Sequence, residues 1–177
     1  TIGIGANVGV NNLFSGNLVV NNSGSGFNLQ PGVVWGTINN TYAYNIVINN
    51  SVGGFVISST QGGNVIHSNI IKGNQRGIST SGSPFAGVYN FIYNNFFSNP
   101  INAMDGMGNR YNTTKTPGTN IIGRPFLGGN FWSDYRGYDL NGDMLGDTLL
   151  PYNASGNITL GGDFLPLVFA PLFSTRP

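Results

Sequence analysis

The chain has 177 residues, a net charge of +1 and only 7% charged residues, against about 25% in an ordinary globular protein. So weak a charge leaves no footprint for nucleic acid or an anionic membrane, and the absence of cysteine removes disulfides, thiolate metal sites and thiol nucleophiles. With 40% apolar and 12% aromatic residues the chain can still build a core, which excludes a disordered polar polymer.

Residues 1–16 open with "TIGIGANVGV", an alternation of apolar and small residues that reads as a spare strand. It either caps its own domain or docks on a neighbouring subunit. It has neither the basic start nor the long apolar run of a signal peptide, as expected of a processed, exported chain.

Residues 17–104 repeat themselves. "NLVVNNSGSGF" from Asn17 and "NIVINNSVGGF" from Asn45 agree at seven of eleven positions. "NVIHSN" and "NFIYNN" share their frame: Asn, three mostly apolar residues, any residue, Asn. The frame starts at Asn17, Asn45, Asn64 and Asn90, at spacings of 28, 19 and 26. Such a period marks a solenoid whose units bury their faces only against one another. Helical repeats are excluded by short β-branched runs and by the Gly, Asn, Ser and Thr between them.

The expected fold is all-β: a right-handed parallel β-helix of four to five short coils stacked about 4.8 Å apart. Val19, Val47, Ile66 and Ile92 then form an apolar column, and Asn22, Asn50, Asn69 and Asn95 an amide ladder at a corner. Gly26, Gly54 and Gly77 mark the next corner, where a positive φ or close packing is needed, with Phe27, Phe55 and Ile78 beginning the following strand. The inserts "LQPGVVWGTINNTYAY" and "TSGSPFAGVY" read as loops. The competing reading is an antiparallel sandwich with Asn-rich hairpins, which has no need for the same Asn at the same phase.

Residues 105–177 read as a C-terminal cap. The chain has no Glu, and five of its six Asp follow residue 133. "DLNGDMLGD" sets Asp139, Asn141, Asp143, the Leu145 carbonyl and Asp147 at positions 1, 3, 5, 7 and 9 of a calcium-loop pattern, with Asp134 or Asp163 free to complete the shell. Met144 stands where that pattern has Gly and Leu150 where it has Glu, so an Asx-rich turn without metal is the alternative. The apolar tail "FLPLVFAPLF" is too short to span a membrane and carries two prolines. Sequons at Asn21, Asn39, Asn49, Asn112, Asn153 and Asn157 are glycosylation candidates on an exported chain.

The repeats, and more specifically the tail "GNFWSDYRGYDLNGDMLGDTLLPYN" followed by "GGDFLPL", resemble the NosD-like right-handed parallel β-helix proteins, above all their archaeal surface and exported members. The likeness runs from about Asn17 to Leu167 and implies a short coil stack closed by this tail, outside the cell. Because the founding proteins are associated with copper delivery, the soft donors His67, Met104, Met107 and Met144 come under scrutiny, but His67 reads as a coil-surface residue.

Three classes of function are open to such a chain: enzyme, binding module and structural protein. No carboxylate precedes Asp105, so the coil lacks the acid pair of a glycosidase, and Lys72 or Arg76 as a lyase base would lack calcium ligands on the same rungs. The preferred expectation is a non-enzymatic extracellular structural protein, self-assembling into a filament or lattice through its termini or open coil ends. The alternative is a carbohydrate-binding module that stacks glycans on Trp35, Tyr42, Tyr44, Tyr89 or Tyr93.

Overall fold

The computed structural model describes residues 1–6, 9–30, 37–58, 62–82 and 89–169. The local rule that builds it has a period of five. Three residues run extended, one turns into the left-handed region and the next is an inward-facing asparagine. The left-handed corners are Asn11, Gly16, Asn21, Asn39, Tyr44, Asn49, Gly63, Ser68, Gly73 and Asn94, with φ between +53° and +76°. Asn and Gly are the residue types that tolerate this conformation, which costs other L-residues about 1–2 kcal/mol. The sequence thus carries its corners in its composition.

Three such strands make a turn of coil, and all strand pairs along the coil are parallel. The first face stacks Leu13–Ser15, Thr41–Ala43, Val65–His67 and Phe91–Tyr93. The second stacks Leu18–Val20, Ile46–Ile48, Ile70–Lys72, Phe96–Ser98 and Phe131–Trp132. The third stacks Ile4–Ala6, Ser25–Leu29, Gly53–Ser58, Arg76–Ser81 and Ile101–Asp105. Strand triplets begin at Leu13, Thr41, Val65 and Phe91, so three turns separate the first from the last. The fold is the expected parallel β-helix.

The C-terminal cap lays a further piece on every face. Arg110 bridges Phe91, Phe131–Trp132 pairs with Phe96–Phe97, and Ile158 bridges Asp105. Beside them lie an antiparallel pair, Thr116–Pro117 with Phe126–Leu127, and a 3₁₀ turn at Ala154–Gly156.

The core is the set of inward columns. Phe14 stacks on Tyr42 at 4.8 Å, Phe27 on Phe55 at 4.7 Å, and Phe97 on Trp132 at 4.5 Å. Each such pair contributes about 0.5–1.5 kcal/mol beyond its buried area. Gly26, Gly54 and Gly77 form one column as expected, but the reason is close approach, since their φ angles are ordinary. A Cβ on Gly54 would sit 2.6 Å from the Gly77 carbonyl oxygen of the next rung.

Two expectations are corrected by the register. Val19 and Val47 continue into Ile71 and Phe97 on the second face, whereas Ile66 and Ile92 stack with Phe14 and Tyr42 on the first. The asparagines shift in the same way, and the coil spacings become 28, 24 and 26. With Asn recurring every five residues, aligning "NVIHSN" on "NLVVNN" slid the third and fourth coils by one strand. The first insert is also not a loop throughout, because Thr41–Ala43 is a strand of the coil and Tyr42 lies in the core. Trp35 and most of the second insert fall outside the described residues.

Candidate functional site

Three asparagine ladders run the length of the shaft, one at each corner. They are Asn12–Asn40–Asn64–Asn90–Asn109, Asn17–Asn45–Asn69–Asn95–Asn130 and Asn22–Asn50–Asn74–Asn99–Asn102. Every link has the same polarity. The backbone N–H and Nδ2 of Asn45 both donate to Oδ1 of Asn69 at 2.9 Å, while Nδ2 also donates back to the Phe14 carbonyl at 2.9 Å. Donors therefore point toward the C-terminal end of the shaft and acceptors toward the N-terminal end.

Each ladder ends on a carboxylate. Asn109 donates its N–H and Nδ2 to Asp105 Oδ2, both at 3.1 Å. Asn130 donates its N–H to Asp163 Oδ2 at 2.7 Å, and Asn102 its Nδ2 to Asp134 Oδ1 at 2.6 Å. An acceptor-only group is the chemical complement of a terminal donor. Asp105 and Asp163 are buried within the cap. Asp105 also accepts from Met107 N at 2.7 Å, the Tyr111 hydroxyl at 3.0 Å and Thr80 Oγ1. Its proximity adds to burial in holding the Tyr111 phenol well above the ordinary tyrosine range. Asp163 further accepts from Trp132 Nε1 at 2.8 Å and Leu165 N at 3.0 Å. Burial outweighs these donors and pushes its carboxyl up to about 6.

At the other end the ladders are open. Among the described residues nothing donates to Oδ1 of Asn12 or Asn17, and the outer edges of Leu13–Ser15 and Leu18–Val20 carry no strand. Leu13 and Leu18 are 68% and 72% exposed. Among the described residues only the third face is covered there, by Ile4–Ala6.

The acidic loop follows the backbone course of its motif, since Met144 takes the left-handed conformation at the usual glycine position, φ +67°. Its oxygens, however, are turned onto donors of the loop itself. Asp139 accepts from the N–H groups of Asn141, Gly142 and Met144 at 2.8–3.1 Å and is buried. Asp143 accepts from Leu145 N and pairs with Lys115, and Asp147 accepts from Leu140 N and Asn141 Nδ2. Neither Asp134 nor Asp163 completes a shell here, each being bound to a ladder end. Among the described residues no group of three or more His, Cys, Asp or Glu could hold a metal ion. The geometry is that of an Asx turn and lends calcium no support.

The family described as periplasmic copper-binding protein (NosD) matches residues 2–137, which take in the whole coil. The chain belongs to the NosD family. No curated protein and no solved structure matches it. The periplasmic character of the family agrees with an exported chain, and among the described residues no helix is long and apolar enough to cross a membrane.

Copper in the family's description sets a test that this NosD-family chain does not meet. His67 stands on the first face, Met104 on the third, Met107 is buried in the turn beyond it, and Met144 lies in the acidic loop. These soft donors occupy four separate places and offer no shared centre. His67 Nδ1 is also engaged, 3.1 Å from Ser68 Oγ.

On the outside of the shaft, five sequon asparagines are exposed (Asn21, Asn39, Asn49, Asn153 and Asn157) and Asn112 is half-buried. Of the aromatics expected to meet glycans, Tyr42 is internal, Tyr89 lies under the Arg110 guanidinium, and Tyr44 and Tyr93 flank His67. Sequence reasoning missed Asp105, Asp134 and Asp163 as ladder stops. It also missed the ladder members Asn12, Asn40, Asn74, Asn99, Asn102, Asn109 and Asn130, and took Asn17, Asn45, Asn64 and Asn90 only as starts of the repeat frame. The available signal was Asn at every fifth place, as in Asn12, Asn17 and Asn22.

Proposed function

We propose that this chain is an exported structural protein, a rigid β-helical shaft that associates with further copies through its N-terminal coil and carries no catalytic centre. The supporting observation is the asymmetry of the ladders. Three carboxylates meet the donors at one end, while the other, among the described residues, presents open acceptors, unpaired strand edges and the exposed side chains of Ile2, Val10, Leu13 and Leu18. Unpaired edges of this kind recruit other strands. With the C-terminal end closed, the contact joins N-terminal ends in pairs. A lattice then needs lateral contacts, for which the outward row Leu18, Ile46, Ile70 on the second face is available. The acidic loop is on this reading a clasp, held by its own hydrogen bonds and by Lys115, rather than a calcium centre.

Sedimentation velocity across a concentration series tests the proposal. Concentration-dependent association is expected, and Leu13→Lys with Leu18→Lys should abolish it without unfolding, since lysine on an edge strand discourages pairing. A monomer at every concentration would count against assembly. A carbohydrate-binding module is the second reading, favoured by the exposed Tyr44 ring.

A further inference from the structure

Among the described residues ten left-handed corners punctuate the coil, and nine are occupied by Asn, Gly or Ser. The tenth is Tyr44, at φ +57°. A bulky aromatic is a true outlier in this region, and strain of this kind is kept where a side chain has work to do. The ring makes no contribution to the core, being 65% exposed with its edge-on contact to His67 at 5.7 Å. Packing therefore does not account for a tyrosine at this corner.

What the ring does is wall a cleft. His67 stacks on Tyr93 at 5.4 Å, so Tyr44, His67 and Tyr93 form one continuous aromatic side. Thr119, Ile121 and Leu127 of the cap form the opposite side, giving a cleft of about 420 Å³, within the roughly 300–1,000 Å³ of small-ligand sites. The far side is tied down, because Asn94 Oδ1 accepts from Ile121 N at 2.7 Å. Asn94 Nδ2 donates to Ser68 Oγ at 2.9 Å, which frees the Ser68 hydroxyl proton for His67 Nδ1 at 3.1 Å. Burial lowers the pKa of His67 and so favours the neutral ring, which offers one N–H and one acceptor nitrogen. Among the described residues no Asp, Glu, Lys or Arg lines the cleft.

An exposed aromatic face, a neutral imidazole, two phenol hydroxyls and no charged side chain among the described lining residues make a site for a neutral hydroxylated ring. We infer that this cleft is a binding site for a neutral saccharide, with the sugar ring on Tyr44 and its hydroxyls meeting His67 and Tyr93. This gives the carbohydrate reading a location and stands apart from assembly through the N-terminal coil.

Calorimetric titration of the full chain with neutral gluco-, galacto- and manno-oligosaccharides, and with a uronate oligomer as charged control, tests the inference. At least one neutral series should bind and the uronate should not. Tyr44→Gly should weaken binding tenfold or more while melting higher than the parent, because glycine fits the corner without strain. His67→Phe should also weaken binding while keeping the wild-type melting profile. The Leu13→Lys variant should bind like the parent, which separates this inference from the assembly proposal. The inference is overturned if no neutral oligosaccharide binds at millimolar concentration, if Tyr44→Gly binds unchanged, or if Tyr44→Gly melts lower, which would make the ring structural.

Discussion

The two ends of the shaft are built from the same asparagine ladders and treated in opposite ways. At the C-terminal end every ladder meets a carboxylate, and the cap adds Trp132 and Tyr152 to the inward columns, stacked at 4.5 Å. At the N-terminal end two of the three faces stop at Leu13–Ser15 and Leu18–Val20, with nothing laid over them among the described residues. The difference teaches that an Asn ladder is directional. Each amide satisfies its neighbour only in one sense, so the two ends need different chemistry: acceptors where the donors run out, and donors where the acceptors run out.

The sharpest way to break the comparison is to remove one rung in the middle and one at the open end. Asn69→Ala deprives both the N–H and the Nδ2 of Asn45 of the buried oxygen they share. At about 1–3 kcal/mol for each orphaned group, roughly 3 kcal/mol or more of stability should be lost. Thermal unfolding followed by circular dichroism should show a fall of roughly 10 °C.

Next comes the stop itself. Asp163 binds donors through both oxygens, so Asp163→Asn turns an NH₂ toward one of them and should cost about 1–3 kcal/mol at neutral pH. Its pH dependence has a definite sign. The folded carboxyl, at about 6, lies above its ordinary 3.8. The folded protein thus holds a proton in that window which the unfolded chain has released. Its contribution is fully present below about 4 and is lost as pH rises through 6. Melting curves at pH 4 to 7 should show this slope in the parent, and Asp163→Asn should flatten it.

Smaller effects belong to the open end and the acidic loop. Asn17→Ala removes a ladder member whose Oδ1 has no donor among the described residues, and should cost less than about 1 kcal/mol in the same unfolding assay. A loss as large as that of Asn69→Ala would mean that the N-terminal end is closed. Calcium or a chelator should move the melting temperature by less than about 1 °C. Saturating a genuine site at a hundredfold excess over Kd would instead add about 2.7 kcal/mol.

Much of the fold was legible because its determinants are local. Asn and Gly at left-handed corners and β-branched residues between them name a parallel coil, and Phe27, Phe55 and Ile78 were placed in one column. The register was not legible for Asn69 and Asn95, since a five-residue period looks the same after a slip of five, and only the stacking of three unequal faces decides it. The ladder stops were illegible for another reason. Asp134 and Asp163 lie 32 and 33 residues beyond Asn102 and Asn130, the asparagines they serve, so their proximity is a property of the folded cap. The acidic loop poses the opposite case. Its spacing matched a calcium motif, yet each carboxylate was answered by nearby N–H donors, which a spacing pattern does not count.

Amide hydrogen exchange on dilute, monomeric protein bears most directly on this directional stack. The strands Phe96–Ser98 and Ile101–Asp105, beneath the carboxylate-capped end, should exchange slowest, and Leu13–Ser15 with Leu18–Val20 fastest among the coil strands. Equal protection of the two ends, or fraying that begins beside Asp105 and Asp163, would contradict it.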